Sequence, residues 1–264
     1  MPRDLLRGVE RLAVPLLDGL NGPGGAKAAV QWIVRHVSAR WVRACTRNLV
    51  TIDGLEPLRT LAPPNGVILV SNHRSFFDMY VVSAFLYENV GFLERLYFPV
   101  RSNFFYDHPF GVLVNLAISG GAMWPPVFRD DRRGTLNPVG LDQIAHVLTT
   151  PGAVVGIHPE GTRGKGPDPY TYLPARAGLG EIILAVPETV VIVPLFVLGL
   201  KNAFGGQVLS NFGIGAAEPV RVRFGAPLTV GEARALGPDA ASVSRAVFAR
   251  VQALGEADRA ATRD

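Results

Sequence analysis

Cysteine is almost absent from this chain, and charge is scarce. Cys45 is the only cysteine in 264 residues, which excludes a disulfide framework and a metal–thiolate cluster and favours a reducing compartment. Charged residues make up 18% of the chain and hydrophobic residues 48%. A composition this apolar indicates a protein that leaves apolar surface exposed to a membrane or a hydrocarbon chain.

Long apolar runs are also missing. Residues 1–20 hold no uninterrupted apolar core of a secretory signal, because charged residues interrupt them. These residues are Arg3, Asp4, Arg7, Glu10, Arg11 and Asp18. The longest strongly apolar stretch, residues 190–200, is much shorter than the ~20 residues that a membrane-spanning helix needs. We therefore predict no signal peptide and no transmembrane span.

The charge balance is basic. Lys and Arg number 26 against 22 Asp and Glu, which gives a net charge of +4. This balance suits anionic partners such as lipid headgroups, coenzyme A phosphates or nucleic acid. The sequence has no nucleic-acid-binding motif and no basic residues interleaved with aromatic ones, so nucleic acid is not a predicted partner.

Two helices are predicted at the amino terminus, over residues 3–20 and 26–46, around a breaker at residues 21–25. In the second helix, apolar residues share one face and basic residues lie off it. The apolar residues are Val30, Ile33, Val34, Val37, Trp41, Ala44 and Cys45, and the basic ones are Arg35, His36, Arg40 and Arg43. Such a helix either lies in a membrane interface or packs on the core with a solvated basic edge.

Strands and helices alternate in the rest of the chain. The predicted strands cover residues 48–53, 66–70, 154–157, 190–198 and 220–224. The predicted helices begin near residue 78 and cover residues 139–148, 176–184 and 240–254. The pattern indicates an α/β fold, with a single domain whose mixed, largely parallel sheet is flanked by helices and preceded by the amphipathic helical pair.

The first chemically informative stretch follows the strand at residues 66–70. His73 comes directly after that strand, and Asp78 follows at the predicted start of a helix, three places after Ser75. The short connection allows the Asp78 carboxylate to reach a ring nitrogen of His73. Such a bond would fix the tautomer and leave the other nitrogen as a general base for a hydroxyl. Alternatively, Asp78 only caps the helix and His73 is a polar loop residue.

The second stretch follows the strand at residues 154–157. It contains a run of glycines, which lets backbone amides approach a ligand. Arg163 offers a planar guanidinium suited to a phosphate or carboxylate, and Lys165 adds a second positive charge.

In these two stretches the chain resembles the glycerolipid acyltransferase family, whose best-known member is lysophosphatidate acyltransferase. Asn72-His73 with Asp78 is similar to the family's first sequence block, and Pro159-Glu160-Gly161-Thr162-Arg163 to its third. The second and fourth blocks have similar segments in the expected order, at residues 121–129 and 193–195. The resemblance spans roughly residues 50–200.

The resemblance implies that a fatty acyl group passes from an acyl thioester, acyl-CoA or acyl carrier protein, to the hydroxyl of a lysophospholipid such as lysophosphatidate. His73 would be the base and Asp78 would orient it. The implied substrate-binding residues are Asn72, Arg129, Glu160, Gly161, Thr162 and Arg163. No metal or other cofactor is implied. Arg163 suits a phosphate directly, whereas we expect the Glu160 carboxylate to accept from an acceptor hydroxyl or to hold Arg163.

A lipid substrate favours membrane contact for the N-terminal helices. We therefore divide the chain into a membrane-contact segment, residues 1–46, and an acyltransferase domain, residues 47–264, and expect peripheral association with the cytoplasmic face of a membrane. Residues 101–121, rich in aromatic side chains, could line an acyl groove, although core packing is the commoner role of such residues.

Two departures from the family pattern leave alternatives open. His158 stands where an apolar residue is usual, so His73, Asp78, His158 and Glu160 could instead bind a metal in a hydrolase. The consecutive prolines at 125 and 126 exclude an ordinary central strand next to Arg129. A third possibility is a lipid-binding module without catalytic activity.

Overall fold

The computed structural model describes residue 1 and residues 3–22, 25–216 and 218–262. Part of the predicted breaker, residues 23 and 24, lies outside the described residues. The strands are β1 (Val50–Asp53), β2 (Val67–Ser71), β3 (Arg95–Tyr97), β4 (Val100–Arg101), β5 (Pro126–Val127), β6 (Ala153–Ile157), β7 (Val191–Leu198), β8 (Val220–Phe224) and β9 (Leu228–Thr229).

Helices connect and flank these strands. The α-helices are α1 (Glu10–Asn21), α2 (Gly25–Ile33), α3 (Ala39–Ala44), α4 (Glu56–Arg59), α5 (Asp78–Asn89), α6 (Ser102–Phe105), α7 (Pro109–Ser119), α8 (Asp131–Gly134), α9 (Asn137–Leu148), α10 (Gly178–Ala185), α11 (Phe204–Asn211), α12 (Val230–Arg234) and α13 (Ala240–Ala261). A 3₁₀ helix covers Arg3–Leu5, and a π-helical turn, Val34–Ser38, joins α2 to α3.

Seven strands form one mixed sheet in the order β1-β8-β7-β2-β6-β3, with β9 beside β7. The pairs that β7 makes with β8 and β9 are antiparallel, and the other pairs are parallel. The predicted fold class is therefore confirmed. The short strands β4 and β5 form a separate pair, which agrees with the exclusion of a central strand at the consecutive prolines.

Two hydrophobic clusters cover the two faces of the sheet. Because side chains alternate along a strand, Ile68 and Val70 of β2 enter the cluster formed with α9, α10 and α13, while Val67 and Leu69 enter the cluster formed with α5. All five residues of β2 are buried. This explains why the strand reads as a continuous apolar run, and it makes β2 a rigid support for the residues that follow it.

The N-terminal region differs from the prediction. The first α-helix begins at Glu10 rather than at residue 3, because Gly8 has a φ of +45°, a left-handed conformation that interrupts a right-handed helix. In the second helical segment, Val34 and Cys45 of the predicted apolar face are buried, whereas Val37 and Trp41 are exposed. One part of this face therefore packs on the core and another faces outward.

The last helix is longer than predicted, since α13 continues to Ala261.

Ala13, Val14 and Leu17 of α1 pack in the same cluster as Ile68 of β2. The division at residues 46 and 47 stays a prediction. Among the described helices, none combines the length and the apolar character needed to cross a membrane.

Candidate active site

The two informative stretches meet at one edge of the sheet. They follow β2 and β6, which are adjacent and parallel, so their carboxyl ends lie side by side. Two hydrogen bonds join the loops: the Gly164 amide donates to the His73 carbonyl at 2.9 Å, and the His73 amide donates to Glu160 Oε1 at 3.0 Å. Ligand sites of α/β proteins commonly form at such an edge.

His73 and Asp78 are in contact. His73 Nδ1 lies 3.3 Å from Asp78 Oδ2, and the same oxygen accepts from the backbone amides of Arg74 at 2.9 Å and Ser75 at 2.8 Å. Because Asp78 Oδ2 acts as the acceptor in the two amide hydrogen bonds, it favours the tautomer of His73 in which Nδ1 carries the proton and donates to it. This arrangement leaves Nε2 of His73 as the acceptor that a general base requires. The roles of the two residues in catalysis stay a prediction.

Burial and charge set the protonation of this pair. Burial, together with the charges of Arg163 and Arg101, lowers the pKa of His73 to about 4. Burial raises the pKa of Asp78 to about 6, although nearby hydrogen-bond donors and positive charges oppose the rise. At neutral pH the imidazole is therefore uncharged and the carboxylate ionised.

His158 belongs to the same cluster. Its ring stacks on that of His73, with the centroids 4.0 Å apart and the planes 11° from parallel. Its Nδ1 lies 2.8 Å from the Asn72 carbonyl and 3.2 Å from that of Ser71. Because carbonyl oxygens only accept, Nδ1 carries the proton. Burial and the neighbouring His73 lower the pKa of His158 to about 3, so the ring is neutral.

Glu160 supports the backbone of the site. Its side chain is buried, and Oε1 accepts from His73 while Oε2 accepts from the Leu173 amide at 3.1 Å. The expected contact with Arg163 is absent among the described residues, where Arg163 donates instead to Asn202 Oδ1 at 2.6 Å. The difference arises because a buried carboxylate satisfies backbone donors that would otherwise be unpaired.

Asn72, expected at the substrate, is fully buried. Its side-chain amide donates to the Val197 carbonyl and its side-chain oxygen accepts from the Val197 amide, both at 2.8 Å. The Asn72 side chain therefore forms two hydrogen bonds with the backbone of β7, directly after the last residue of β2. Its role in substrate binding stays a prediction.

Four arginines converge around Gly161. The Gly161 carbonyl accepts from Arg129 and, at 3.2 Å, from Arg101. Gly161 has a φ of +63°, and a Cβ there would lie 3.1 Å from Cδ of Arg176. Arg163 follows on the same turn. Thr162, also expected at the substrate, is half-buried on this turn, and within the described residues its side chain makes no hydrogen bond.

These arginines have no carboxylate partners within the part of the chain that the structure describes. Burial and the charges of neighbouring arginines lower the pKa of Arg101 and of Arg129, which is the effect of positive charges held close together. The sequence alone did not single out Arg101 or Arg176, because Arg101 ends β4 and Arg176 precedes α10, both outside the two informative stretches. Such a cluster suits a dianionic ligand such as a phosphate monoester.

Aromatic rings extend from the site toward the surface. Phe76 and Phe77 lie in the chain between His73 and Asp78, and Phe77 stacks on Phe204 with centroids 4.5 Å apart. Phe204 in turn lies 6.4 Å from Trp41, whose side chain is 59% exposed. On the other side, Phe76 stacks on Phe105 at 5.6 Å. The site therefore opens beside a continuous aromatic surface.

The segment predicted to line an acyl groove divides into two groups. Tyr106 is fully buried and belongs to the core, whereas Phe104, Phe110 and Leu113 are exposed. Phe105 lies between these groups and is the member that contacts the site, through Phe76. The acyl-groove role stays a prediction for the exposed residues.

The four residues of the metal alternative do not form a ligand set. Among the described residues, no three His, Cys, Asp or Glu side chains are grouped so as to hold a metal ion. Both Glu160 oxygens already accept from backbone amides, so this carboxylate is engaged within the protein.

Comparison with known proteins agrees with the resemblance. The model of the family described as Acyltransferase matches residues 49–198, more than half of the chain, and the match includes both loops of the site. A comparison with curated proteins gives no match. The strands β1 to β7, the His73–Asp78 contact and the arginine-lined turn all fall within the matched residues. The chain therefore belongs to the glycerolipid acyltransferase family, and its domain is that of an acyltransferase.

Proposed function

We propose that the protein transfers a fatty acyl group from an acyl thioester to the free hydroxyl of a lysophospholipid, of which lysophosphatidate is the preferred candidate. The donor is acyl-CoA or acyl carrier protein, and the reaction serves phospholipid synthesis or remodelling. The observation that carries the proposal is the position of His73, whose Nδ1 faces Asp78 while four arginines surround the adjoining turn.

His73 acts as the general base. Its Nε2 takes the hydroxyl proton while the hydroxyl oxygen bonds to the thioester carbonyl carbon. The resulting tetrahedral intermediate breaks its C–S bond, and the imidazolium returns the proton to the leaving thiolate. The products are an ester and a free thiol. Asp78 holds the tautomer and stabilises the transient imidazolium, so no covalent enzyme intermediate is required.

The arginines bind the acceptor phosphate. A phosphate monoester carries up to two negative charges, and planar guanidiniums pair with its oxygens in parallel hydrogen bonds. Arg129, Arg163 and Arg176 are exposed and can reach a ligand from solvent, and the hydrogen bonds from Arg101 and Arg129 to the Gly161 carbonyl hold the turn in place. This arrangement supports an acceptor with a phosphate headgroup over one that is zwitterionic or neutral.

The enzyme works as a peripheral protein at the cytoplasmic face of a membrane. Support comes from an apolar stripe on α2, the π-helical turn and α3, formed by Trp32, Ile33, Val37 and Trp41, each more than half exposed. The aromatic contacts Trp41–Phe204–Phe77 lead from this stripe to the site. A lipid acceptor and an acyl donor would therefore reach His73 from an apolar surface.

The test is thiol release from a long-chain acyl-CoA by purified protein, with and without lysophosphatidate. We expect acceptor-dependent release by the wild type and none by His73→Ala. Release without any acceptor would identify a thioesterase instead. If the wild type releases no thiol with any lysolipid or carrier-protein donor but still binds vesicles, the protein is a lipid-binding module and the proposal is wrong.

A further inference from the structure

A second basic site lies on the opposite end of the helix that carries Asp78. A surface cavity of about 230 Å³ opens between α3 and α5. Its lining residues are Arg40, Arg43, Ala44, Arg47, Phe85 and Glu88. We call it the arginine pocket. Asp78 begins α5, and Phe85 and Glu88 lie in its last turns, so the pocket is roughly 10–15 Å along the helix axis from the Asp78 end, at ~1.5 Å per residue.

The pocket keeps a positive charge after its internal contacts are counted. Arg43 Nη1 lies 3.0 Å from Glu88 Oε2 and 3.4 Å from the Ala84 carbonyl, so one guanidinium is neutralised and held in place. Arg40 and Arg47 are exposed, and within the described residues neither pairs with a carboxylate. The end of α3 contributes only about half a negative charge, which two free guanidiniums exceed.

The pocket adjoins the apolar stripe. Arg40 and Trp41 are consecutive on α3, and Trp41 is 59% exposed. A cationic recess beside exposed aromatic and aliphatic side chains matches an amphiphile whose headgroup is anionic and whose chains are apolar. A soluble anion would use the recess but leave the stripe in water.

We propose that the arginine pocket binds the phosphate of an anionic membrane phospholipid, separately from the acceptor site at Gly161. The inference rests on the membrane contact proposed above and deepens it. Arg40 and Arg47 hold the headgroup, Arg43 forms the back of the pocket, and the apolar stripe enters the outer acyl region. Since Trp41 connects through Phe204 to Phe77, lipid bound here orients the mouth of the catalytic site toward the same surface.

The experiment measures binding of the full-length protein to vesicles by flotation. Vesicles of phosphatidylcholine alone are compared with vesicles of equal parts phosphatidylcholine and phosphatidylglycerol. The variant is Arg40→Gln with Arg47→Gln, and the control is Arg245→Gln with Arg250→Gln. The control pair is exposed on α13, which packs on the other face of the sheet, and it removes the same charge. Thermal unfolding verifies that each protein is folded.

We expect the pocket variant to lose about thirtyfold in affinity for the anionic vesicles, since each basic residue near such a surface contributes about 1 kcal/mol. Binding to neutral vesicles should be weak and the same for all proteins, and the control should bind as the wild type does. An equal loss in the control, or no loss in the pocket variant, would overturn the proposal. So would complete displacement by glycerol phosphate at constant ionic strength, which would mean that a free phosphate is the ligand.

The vesicle-binding measurement does not depend on catalytic activity. Vesicle binding by His73→Ala should equal that of the wild type, because the pocket and the base are at different ends of α5. If acyl transfer is not observed at all, the flotation result still decides whether the arginine pocket binds anionic lipid.

Discussion

The imidazole of His158 lies flat on the imidazole of His73, with the ring centroids 4.0 Å apart. The same ring donates from Nδ1 to the carbonyls of Asn72 and Ser71, the last residues before His73. His158 therefore holds both the ring of His73 and the backbone that carries it. An apolar ring at position 158 could supply the stacking but not the hydrogen bond.

Two variants of His158 test the ring stacking and the hydrogen bond separately. His158→Phe should keep the stack and lose the hydrogen bond, lowering kcat by less than about tenfold and the free energy of unfolding by about 1 kcal/mol. His158→Ala should lower kcat further, because His73 loses its stacking partner. Steady-state kinetics and denaturant unfolding of both variants test this. A Phe variant less active than the Ala variant would contradict a positioning role.

The predicted base and the predicted headgroup ligand should respond differently to truncation. His73→Ala should lower kcat by about 10²–10⁴-fold, the range for a general base, with a small change in KM. Arg163→Ala should mainly raise KM for lysophosphatidate, since it removes a phosphate contact. Measuring both constants against acceptor concentration distinguishes them. Loss of binding alone in both variants would show that the roles are assigned wrongly.

The pH dependence follows from the opposite shifts of His73 and Asp78. The base is neutral above a pKa of about 4, whereas Asp78 becomes ionised only above a pKa of about 6. Protonation of Asp78 removes the acceptor that fixes the tautomer. We therefore expect kcat/KM to be constant above about pH 7 and to fall as the pH drops through 6. A fall through pH 6 that persists unchanged in Asp78→Asn would contradict this assignment.

Stability should depend on pH in two opposing ways. The folded-state pKa of Asp78 is raised, so its ionisation destabilises the fold as the pH rises from about 4 to 6. The folded-state pKa of His73 is lowered, so its contribution to stability grows as the pH rises from about 4 to 6.5. The effects of Asp78 and His73 largely cancel, and the lowered pKa of His158 adds a gain in stability as the pH rises over the same range. Asp78→Asn removes the opposing effect and should therefore gain more stability than the wild type as the pH rises, which denaturant unfolding between pH 4.5 and 7 can measure.

Glu160 is expected to support catalysis indirectly, by holding the backbone of the site in place. Both of its oxygens accept from amides, and Gln offers one acceptor and one NH₂ group, which would face an N–H donor. Glu160→Gln should cost about 1–3 kcal/mol in the free energy of unfolding and lower kcat, with little effect on KM for the acceptor. A large rise in KM with unchanged stability would instead support direct contact with the acceptor.

Local sequence was sufficient to predict those strands and helices for which a single sequence signal dominated. The strands at residues 220–224, 154–157 and 66–70 were predicted within one residue, because short β-branched runs between turn residues have few alternatives. The helix starting at Asp78 was also located, since an acidic residue follows Ser75 at the expected spacing. The first helix was not, because a single glycine with a positive φ displaced its start to Glu10.

The sequence by itself predicted that two strand-terminal loops carry the chemistry, and it determined that an Asn-His followed by Asp resembles a known family. Only the tertiary structure decided which of these side chains are exposed and which are buried with backbone partners. Glu160 and Asn72 are buried and bound to backbone groups, while Arg101 and Arg176 join Arg129 and Arg163 at one turn. The physical reason is that a side chain is buried and hydrogen-bonded by residues far away in the chain, and local sequence does not indicate which residues these are.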